Sequence, residues 1–428
     1  MKWQPINETN RGLLRDESHL QGHAEQIFLP ETKEDALDAL HGAAGHPLTV
    51  QGGRTGLAGG CVPDGGWVLN LSRLDGHAAP ELQPDGSATL WVEAGTALET
   101  VQKLAQAAGF FFPPNPTEDR ASLGGLFSTN ASGPNSLYYG PVSRWVTALD
   151  WVTPAGEERR DYERTCIDGL AGAEGSRGTI LALQLRLLPQ PKERWGILFF
   201  FRTRQDLTKF AETLRPWQPE EQVILTTAEY LDALPLLRAN ADSPLLAGLP
   251  PLPEQARTAL YLELESPGEA QSAQALLALL DRFEPYGEDS WAENSPAAVR
   301  RLQGLRHAIP ALLGEQREIC NPATGVRWEL DYAAPAEKTA WYLEKIEQIT
   351  EKFQIPAVVY GHYLQNCLRV ALLPRTAGER EKCDACLLAL AQPVAEEGGC
   401  LAAEYGVGRL KKDLIRKVQN CRKEERTP

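Results

Sequence analysis

The sequence predicts an α+β protein of two domains. Three observations carry this. At 428 residues the chain exceeds what one hydrophobic core usually supports. Strand-like and helix-like segments alternate after residue 195, in an order that suits antiparallel pairing. Pro189-Gln190-Pro191 interrupts the pattern and separates residues 1–190 from 191–428.

The elements follow from periodicity. After Pro30, residues 33–44 read as a helix. Pro47-Leu48-Thr49-Val50 and Trp67-Val68-Leu69-Asn70-Leu71 read as strands around a glycine loop. Residues 88–94 form a further strand, and Gly95-Thr96 opens a helix over 97–108. Residues 145–153 and 179–188 are strand-like. In the second half, strands are expected at 195–201, 222–226, 258–265, 358–360 and 368–373. Helices are expected at 206–214, 268–283 and 336–353. No internal repeat stands out.

Two segments suggest chemistry. Gln51-Gly52-Gly53-Arg54-Thr55-Gly56-Leu57-Ala58-Gly59-Gly60 sits between two strands, where bare N–H groups can surround a pyrophosphate. Ala121-Ser122-Leu123-Gly124-Gly125-Leu126-Phe127-Ser128-Thr129-Asn130-Ala131-Ser132-Gly133-Pro134 is small, glycine-rich and nearly uncharged. Such a run lets backbone press against a large flat group. Either loop alone also fits an ordinary turn.

In this order, the two loops resemble the FAD-linked oxidases of the vanillyl-alcohol oxidase/PCMH superfamily. The similarity is greatest to the group containing the glycolate oxidase flavoprotein subunit, D-lactate dehydrogenase and D-2-hydroxyglutarate dehydrogenase. Pro113-Pro114-Asn115-Pro116, Tyr139-Gly140 and the segment Asp168 to Ile180 extend the match. The resemblance implies a PCMH-type FAD-binding domain over 1–190. A ferredoxin-like α+β cap with a shortened C-terminal segment is then expected over 191–428. It implies FAD contacts from Gly52, Gly53, Arg54, Thr55, Gly56, Leu57, Pro116, Ser122, Gly124, Gly125, Ser128, Asn130, Ala131, Tyr139, Gly175 and Ile180. No histidine follows the Gly52 loop where covalent relatives attach their flavin, so the FAD is expected to be non-covalent. Arg54 fits either a solvated cation or a neighbour of the phosphates.

The cap departs from its relatives. They carry a loop of the form G-H-x-G-D-G-N-x-H and another of the form G-E-H-G-x-G, whose histidines and glutamate hold a metal and supply a base. Here the corresponding stretches are Gly361-His362-Tyr363-Leu364-Gln365-Asn366-Cys367-Leu368-Arg369 and Ala403-Glu404-Tyr405-Gly406-Val407-Gly408. His362 and Glu404 remain, Arg369 replaces a ligand and Tyr405 replaces the base. Two ligands are too few for a protein metal site, and a guanidinium cannot ligate a cation. No metal is expected. Arg369 can offer its fork to a substrate carboxylate or pair with Glu404. Tyr405 is a poor base, with a reference pKa near 10, but can orient a hydroxyl. Arg306 matches the family's carboxylate-binding arginine, and otherwise reads as a solvated helix residue.

The resemblance implies an FAD-dependent dehydrogenase of a small 2-hydroxy acid. Electrons would pass to a partner flavoprotein, an iron–sulfur subunit or a quinone. A flavin-carrying relay or assembly subunit with a degenerate site is the alternative. The net charge of −14 argues against nucleic acid. No run approaches a membrane span and residues 1–8 lack a signal-peptide core, so a cytoplasmic protein is expected. The eight cysteines do not form a disulfide framework, and Cys383-Asp384-Ala385-Cys386 lacks a second pair at ligand spacing.

Overall fold

The computed structural model describes residues 3–217, 222–287 and 289–424. The chain forms two compact units. The first runs to Gly133 and adds Tyr139–Gln190 and Glu404–Asp413. The second comprises Pro134–Tyr138, Pro191–Ala403 and the chain from Leu414 onward.

The first unit holds two sheets. The smaller contains β1 (Gln4–Pro5), β2 (Gln26–Phe28), β3 (Leu48–Gln51) and β4 (Trp67–Asn70) in the order β1-β2-β4-β3. Both β2 and β3 run parallel to β4. Helix α1 (Lys33–Gly42) makes the crossover that such pairing requires. Thr32 caps it by accepting from the Asp35 N–H at 3.1 Å. The larger sheet contains β5 (Glu81–Leu82), β6 (Ala88–Glu93), β7 (Phe110–Phe111), β8 (Val146–Val152), β9 (Glu158–Asp161) and β10 (Thr179–Pro189). Its order is β5-β6-β10-β8-β9, with β7 also on β10. Along β6, Ala88, Leu90 and Val92 are buried while Thr89, Trp91 and Glu93 are half-buried, the period-two pattern of a one-sided strand. Between these strands lie α2 (Leu98–Ala107), α3 (Leu123–Ser128) and α5 (Arg164–Leu170), while α4 (Ser136–Tyr139) falls in the second unit but for Tyr139.

The second unit is built on one antiparallel sheet. Its strands are β11 (Glu193–Phe201), β12 (Ile224–Asp232), β13 (Thr258–Ser266), β14 (Ser290–Glu293), β15 (Glu329–Ala333), β16 (Ala357–His362) and β17 (Cys367–Leu372). Its helices are α6 (Arg204–Leu214), α7 (Leu234–Ala239), α8 (Glu269–Phe283), α9 (Pro296–Glu315), α10 (Arg317–Cys320), α11 (Thr339–Phe353), α12 (Ala377–Arg380), α13 (Cys383–Glu396) and α14 (Lys412–Glu424). The strand order is β14-β11-β13-β12-β16-β17-β15. The first four strands reproduce the order of a ferredoxin-like βαββαβ unit. The strands β16-β17-β15 then mirror β11-β13-β12, so two βαββα halves meet along the β12–β16 seam. The repeat is visible in topology and absent from the sequence pattern.

One sheet face is apolar and packs against α6, α8, α11 and α13 through residues such as Phe199, Phe210, Leu262, Tyr342, Val370 and Leu390. Cys383 and Cys386 lie in that core, where burial pushes the Cys383 thiol up to about 12 and that of Cys386 to about 11. The other face packs Leu198, Leu231, Ala259 and Ala371 against α7 and α9, and it also carries charged side chains.

Several elements differ from expectation. The strand expected to end at Thr226 continues to Asp232, through a buried glutamate. The small-residue run after Ser122 is helical at its start. Helix α9, with Pro310 inside it, and the short strands β14 and β15 were not anticipated. Among the described residues no helix is long and apolar enough to cross a membrane. Residues 425–428, where the shortened C-terminal segment was expected to end, lie outside the described residues.

Candidate functional site

In the first unit, folding brings the two glycine-rich segments face to face. The Gly52 loop leaves β3 and Ser122 caps α3. The Ser122 hydroxyl accepts from the Gly53 N–H at 3.3 Å and the Gly125 N–H at 3.4 Å. A Cβ on Gly52 would fall 2.0 Å from Ser122 Oγ, and one on Gly53 would fall 2.8 Å from the Arg120 carbonyl. A Cβ on Gly124 would lie 2.8 Å from Ala94 Cβ. Only glycine permits this approach. The result is a wall of backbone with little side chain on it, the surface that an extended dinucleotide requires. The donor set fits FAD.

The other expected flavin contacts gather in the same unit. Arg54 takes φ 57° and donates to the Gly12 carbonyl at 3.0 Å, so it is a tethered loop residue. Thr55 and Leu57 are half-buried and Gly56 is exposed. Asn130 adopts φ 49° and accepts from the Ser143 N–H at 3.2 Å. Pro116 lies against Gly133, which has no room for a Cβ. Ala131 is buried, and its N–H donates to the Leu126 carbonyl at 2.8 Å. The Ser128 carbonyl accepts from the Glu174 N–H at 2.9 Å, which brings Gly175 to the end of α3. Tyr139 is buried and its carbonyl accepts from Trp145 Nε1 at 2.8 Å. Ile180 is buried on β10 opposite Trp151.

Glu404 and Tyr405 also belong to the first unit. Their segment is tied down by the Glu174 carboxylate, which accepts from the Val407 N–H at 2.7 Å and the Gly408 N–H at 2.9 Å. The Ala58 carbonyl accepts from the Arg409 and Leu410 N–H groups at 2.9 and 3.1 Å. Gly408, at φ +49°, would place a Cβ 2.1 Å from that carbonyl. Glu404 is buried, and the Lys411 ammonium stands 5.6 Å from the Tyr405 ring centroid.

The second unit carries a buried charged cluster on the α9 face. Ser295 caps α9, and its buried stripe of Leu302, Leu305, Arg306 and Ile309 faces the sheet. Arg306 is therefore not a solvated residue; it is 3% exposed. Its Nε donates to Glu229 Oε2 at 2.8 Å. Glu229 on β12 pairs in register with His362 on β16, and Oε1 takes a short hydrogen bond from His362 Nδ1. One row further, Tyr360 pairs with Arg369, and Arg369 with Asp331. Arg369 and Arg306 both stand over the Tyr360 ring, at 5.5 and 5.9 Å from its centroid. The Tyr360 hydroxyl donates to Glu329 at 3.1 Å.

Burial disfavours charge on Glu229, yet His362 and Arg306 hold its carboxyl well below the usual carboxylate range. Burial pushes His362 below 6.5, with Arg369 and Arg306 adding to the effect against the pull of Glu229. The ring is therefore neutral at pH 7. Its Nδ1 carries the hydrogen that the carboxylate accepts, and Nε2 carries the lone pair. Among the described residues no three His, Cys, Asp or Glu side chains converge as metal ligands would.

Arg306, His362 and Arg369 thus come together, while Glu404 and Tyr405 lie with the glycine loops. Glu229, Tyr360 and Glu174 are the residues that sequence reasoning missed. Glu229 left one signal: an acid inside the run Ile224-Leu225-Thr226-Thr227-Ala228-Glu229-Tyr230-Leu231.

Comparison with known proteins agrees with this architecture. A family model described as an FAD binding domain matches residues 24–161, and one described as the C-terminal domain of FAD linked oxidases matches residues 190–422. D-lactate dehydrogenase of Archaeoglobus fulgidus is 25% identical over 85% of this chain and 78% of its own length. D-2-hydroxyglutarate dehydrogenase of Xanthomonas citri is 28% identical over 91% and 82%. Glycolate oxidase subunit GlcD of Bacillus subtilis is 24% identical over 91% and 82%. Among solved structures, 4-ethylphenol oxidase from Gulosibacter chungangensis superposes with a TM-score of 0.71 at 16% identity, covering 98% of this chain and 91% of that one. Alkyldihydroxyacetonephosphate synthase gives 0.66 at 15% identity, covering 94% and 75%. Both show the fold alone.

Proposed function

Because this chain belongs to the FAD-linked oxidases, with the fold of the vanillyl-alcohol oxidase/PCMH superfamily, we propose that it dehydrogenates a small 2-hydroxy acid of the glycolate or D-lactate type. Electrons would then pass to a partner flavoprotein, an iron–sulfur subunit or a quinone.

The observation that carries this reading is the pair of buried guanidiniums over Tyr360. A fold that needed only stability does as well or better with apolar residues at such positions. Buried arginines suit a small carboxylate. FAD, held by the glycine walls of the first unit, would accept the hydride from the substrate's C2. Arg369 would bind the carboxylate, and Arg306 would supply further positive charge. No metal is needed for the charge that Arg369 already provides.

A second reading is a flavin-carrying relay or assembly subunit. It is favoured by Arg369 and Tyr405, which stand where relatives hold a ligand and a base. Anaerobic titration of the purified flavoprotein with glycolate, D-lactate, D-2-hydroxyglutarate and their enantiomers separates the two. Bleaching of the flavin band by one of them is expected. A flavin that no 2-hydroxy acid bleaches, but that exchanges electrons with a partner, would establish the second reading. Acid precipitation should release the flavin into the supernatant, as non-covalent FAD requires.

A further inference from the structure

We infer that the segment Glu404–Asp413 serves cofactor binding from the far end of the sequence. It clasps the exit of the glycine loop 52–60, and Glu174 and Arg409 are the positioning residues that hold the clasp shut. The inference concerns how the first unit, to which all these residues belong, holds FAD. It is independent of which reading of the reaction is right.

A loop that meets a dinucleotide with backbone N–H groups is best held in place before the ligand arrives. Otherwise the cost of ordering it is subtracted from the affinity. The start of this loop is fixed by Ser122, the N-cap of α3, which accepts from the Gly53 N–H. Its exit is fixed by a different device. The Ala58 carbonyl accepts from the N–H groups of both Arg409 and Leu410. The Arg409 side chain reaches further along the same stretch. Its Nη1 donates to the Pro63 carbonyl at 3.0 Å and its Nη2 to Asp64 at 2.9 Å. One residue thus spans from Ala58 to Asp64, the stretch that carries the loop toward β4.

Glu174 supplies the other side of the clasp. Its N–H donates to the carbonyl of Ser128, the last residue of α3. Its carboxylate takes one N–H on each oxygen, Val407 on Oε1 and Gly408 on Oε2. Two successive N–H groups around an anion form a nest. Gly406 and Gly408 turn the chain at φ +73° and +49°. A Cβ on Gly406 would lie 2.8 Å from Glu174 Cδ, so glycine lets this turn close on the carboxylate. Gly60 belongs to the same knot: a Cβ there would lie 3.7 Å from Glu174 Oε2 and 3.8 Å from Gly408 Cα.

Helix α3 is therefore the anchor at both ends. Ser122 at its start holds the first glycines, and Ser128 at its end holds Glu174, which holds the segment that grips Ala58. The expected pyrophosphate contacts, residues 52–57, lie between these two clamps. Glu174 itself is exposed, so replacing it removes nothing from the core and the fold should survive.

The test uses the full-length protein, stripped of flavin and reconstituted. Stopped-flow quenching of flavin fluorescence gives association with FAD, and release is followed from the holoprotein. Glu174→Ala should raise the FAD dissociation constant about tenfold, as loss of hydrogen bonds to a charged group implies. The loss should fall on association, because fewer molecules present the loop in its competent arrangement. Glu174→Gln keeps one acceptor oxygen and should recover part. Arg409→Met should act in the same direction and Arg409→Lys should recover part. In Glu174→Ala without flavin, hydrogen exchange should quicken over residues 53–64 and stay unchanged on β8 and β10.

Wild-type affinity in both Glu174→Ala and Arg409→Met would remove the clasp from cofactor binding. A loss carried wholly by faster release would overturn the positioning role, since it marks direct ligand contacts. Faster exchange across β8 and β10 as well would show a general loosening, and the two residues would be structural.

Discussion

The two units build their sites from opposite materials. The first uses backbone: glycines and small residues bring Ser122 against Gly53 and Gly125, with little charge involved. The second uses long ionisable side chains from β12, β16, β17 and α9, buried almost completely. A backbone wall recognises an extended dinucleotide by shape and repeated N–H groups. A side-chain cluster recognises a small anion by charge and orientation. The first is therefore damaged by adding atoms, the second by removing them.

That contrast can be broken or sharpened experimentally. The largest effect should come from Glu229→Ala, which leaves Arg306 buried beside no carboxylate at that position. Removing one partner of a buried pair costs about 3–5 kcal/mol. Chemical denaturation should show the loss in the transition that reports the second unit, with FAD binding preserved. A loss confined to the first unit would undo the distinction. Next, Gly52→Ala should weaken FAD retention, because the new Cβ collides with Ser122 Oγ. Overpacking of this kind costs about 1–3 kcal/mol. Adding Ser122→Ala should restore part of it, since the Ser122 Cβ still lies 3.0 Å from the same point. FAD dissociation constants for the single and double variants check this.

Arg369→Met should weaken substrate binding about ten- to a hundredfold, as loss of a charged hydrogen bond of roughly 1.5–3 kcal/mol implies. Arg369→Lys should rescue only partly, for want of the planar fork. Unchanged substrate affinity with an earlier melt would make Arg369 structural. The smallest effect, none, is expected from chelation: turnover should survive prolonged dialysis against EDTA. Activity that falls with EDTA and returns with zinc or manganese would show a metal at work in the cap.

Legibility in the sequence divides along the same line. The backbone-built wall was readable because its determinants are local: Gly52 to Gly60 and Ala121 to Pro134 each carry their message within fourteen residues or fewer. The cap's strands and long helices were readable from periodicity, apart from α9, interrupted by Pro310, β14, which is only four residues long, and β15, with two acids in five residues. The charged cluster was readable only in part. Arg306, His362 and Arg369 stood out by position, but Glu229 meets Arg306 across 77 residues and His362 across 133. Pairings that long depend on strand order, which no window of sequence contains. Glu174 was hidden for the same reason, since its partners Val407 and Gly408 lie more than 230 residues away.

The seam between the mirrored halves has a further consequence, seen through hydrogen exchange. It joins four residue pairs, Glu229–His362 to Asp232–Val359, whereas β11 and β13 are joined over nine. Each half keeps its own helices on the apolar face, α6 and α8 on one side and α11 and α13 on the other. Opening the seam therefore exposes fewer amides than unfolding either half, and sub-global openings follow the shortest boundary. The amides of Tyr230 and Gly361 would exchange ahead of those of Leu262 and Val370. With each such opening Glu229 and His362 part, so the deuterium uptake of a few seam amides becomes a clock for how often the charged cluster comes undone.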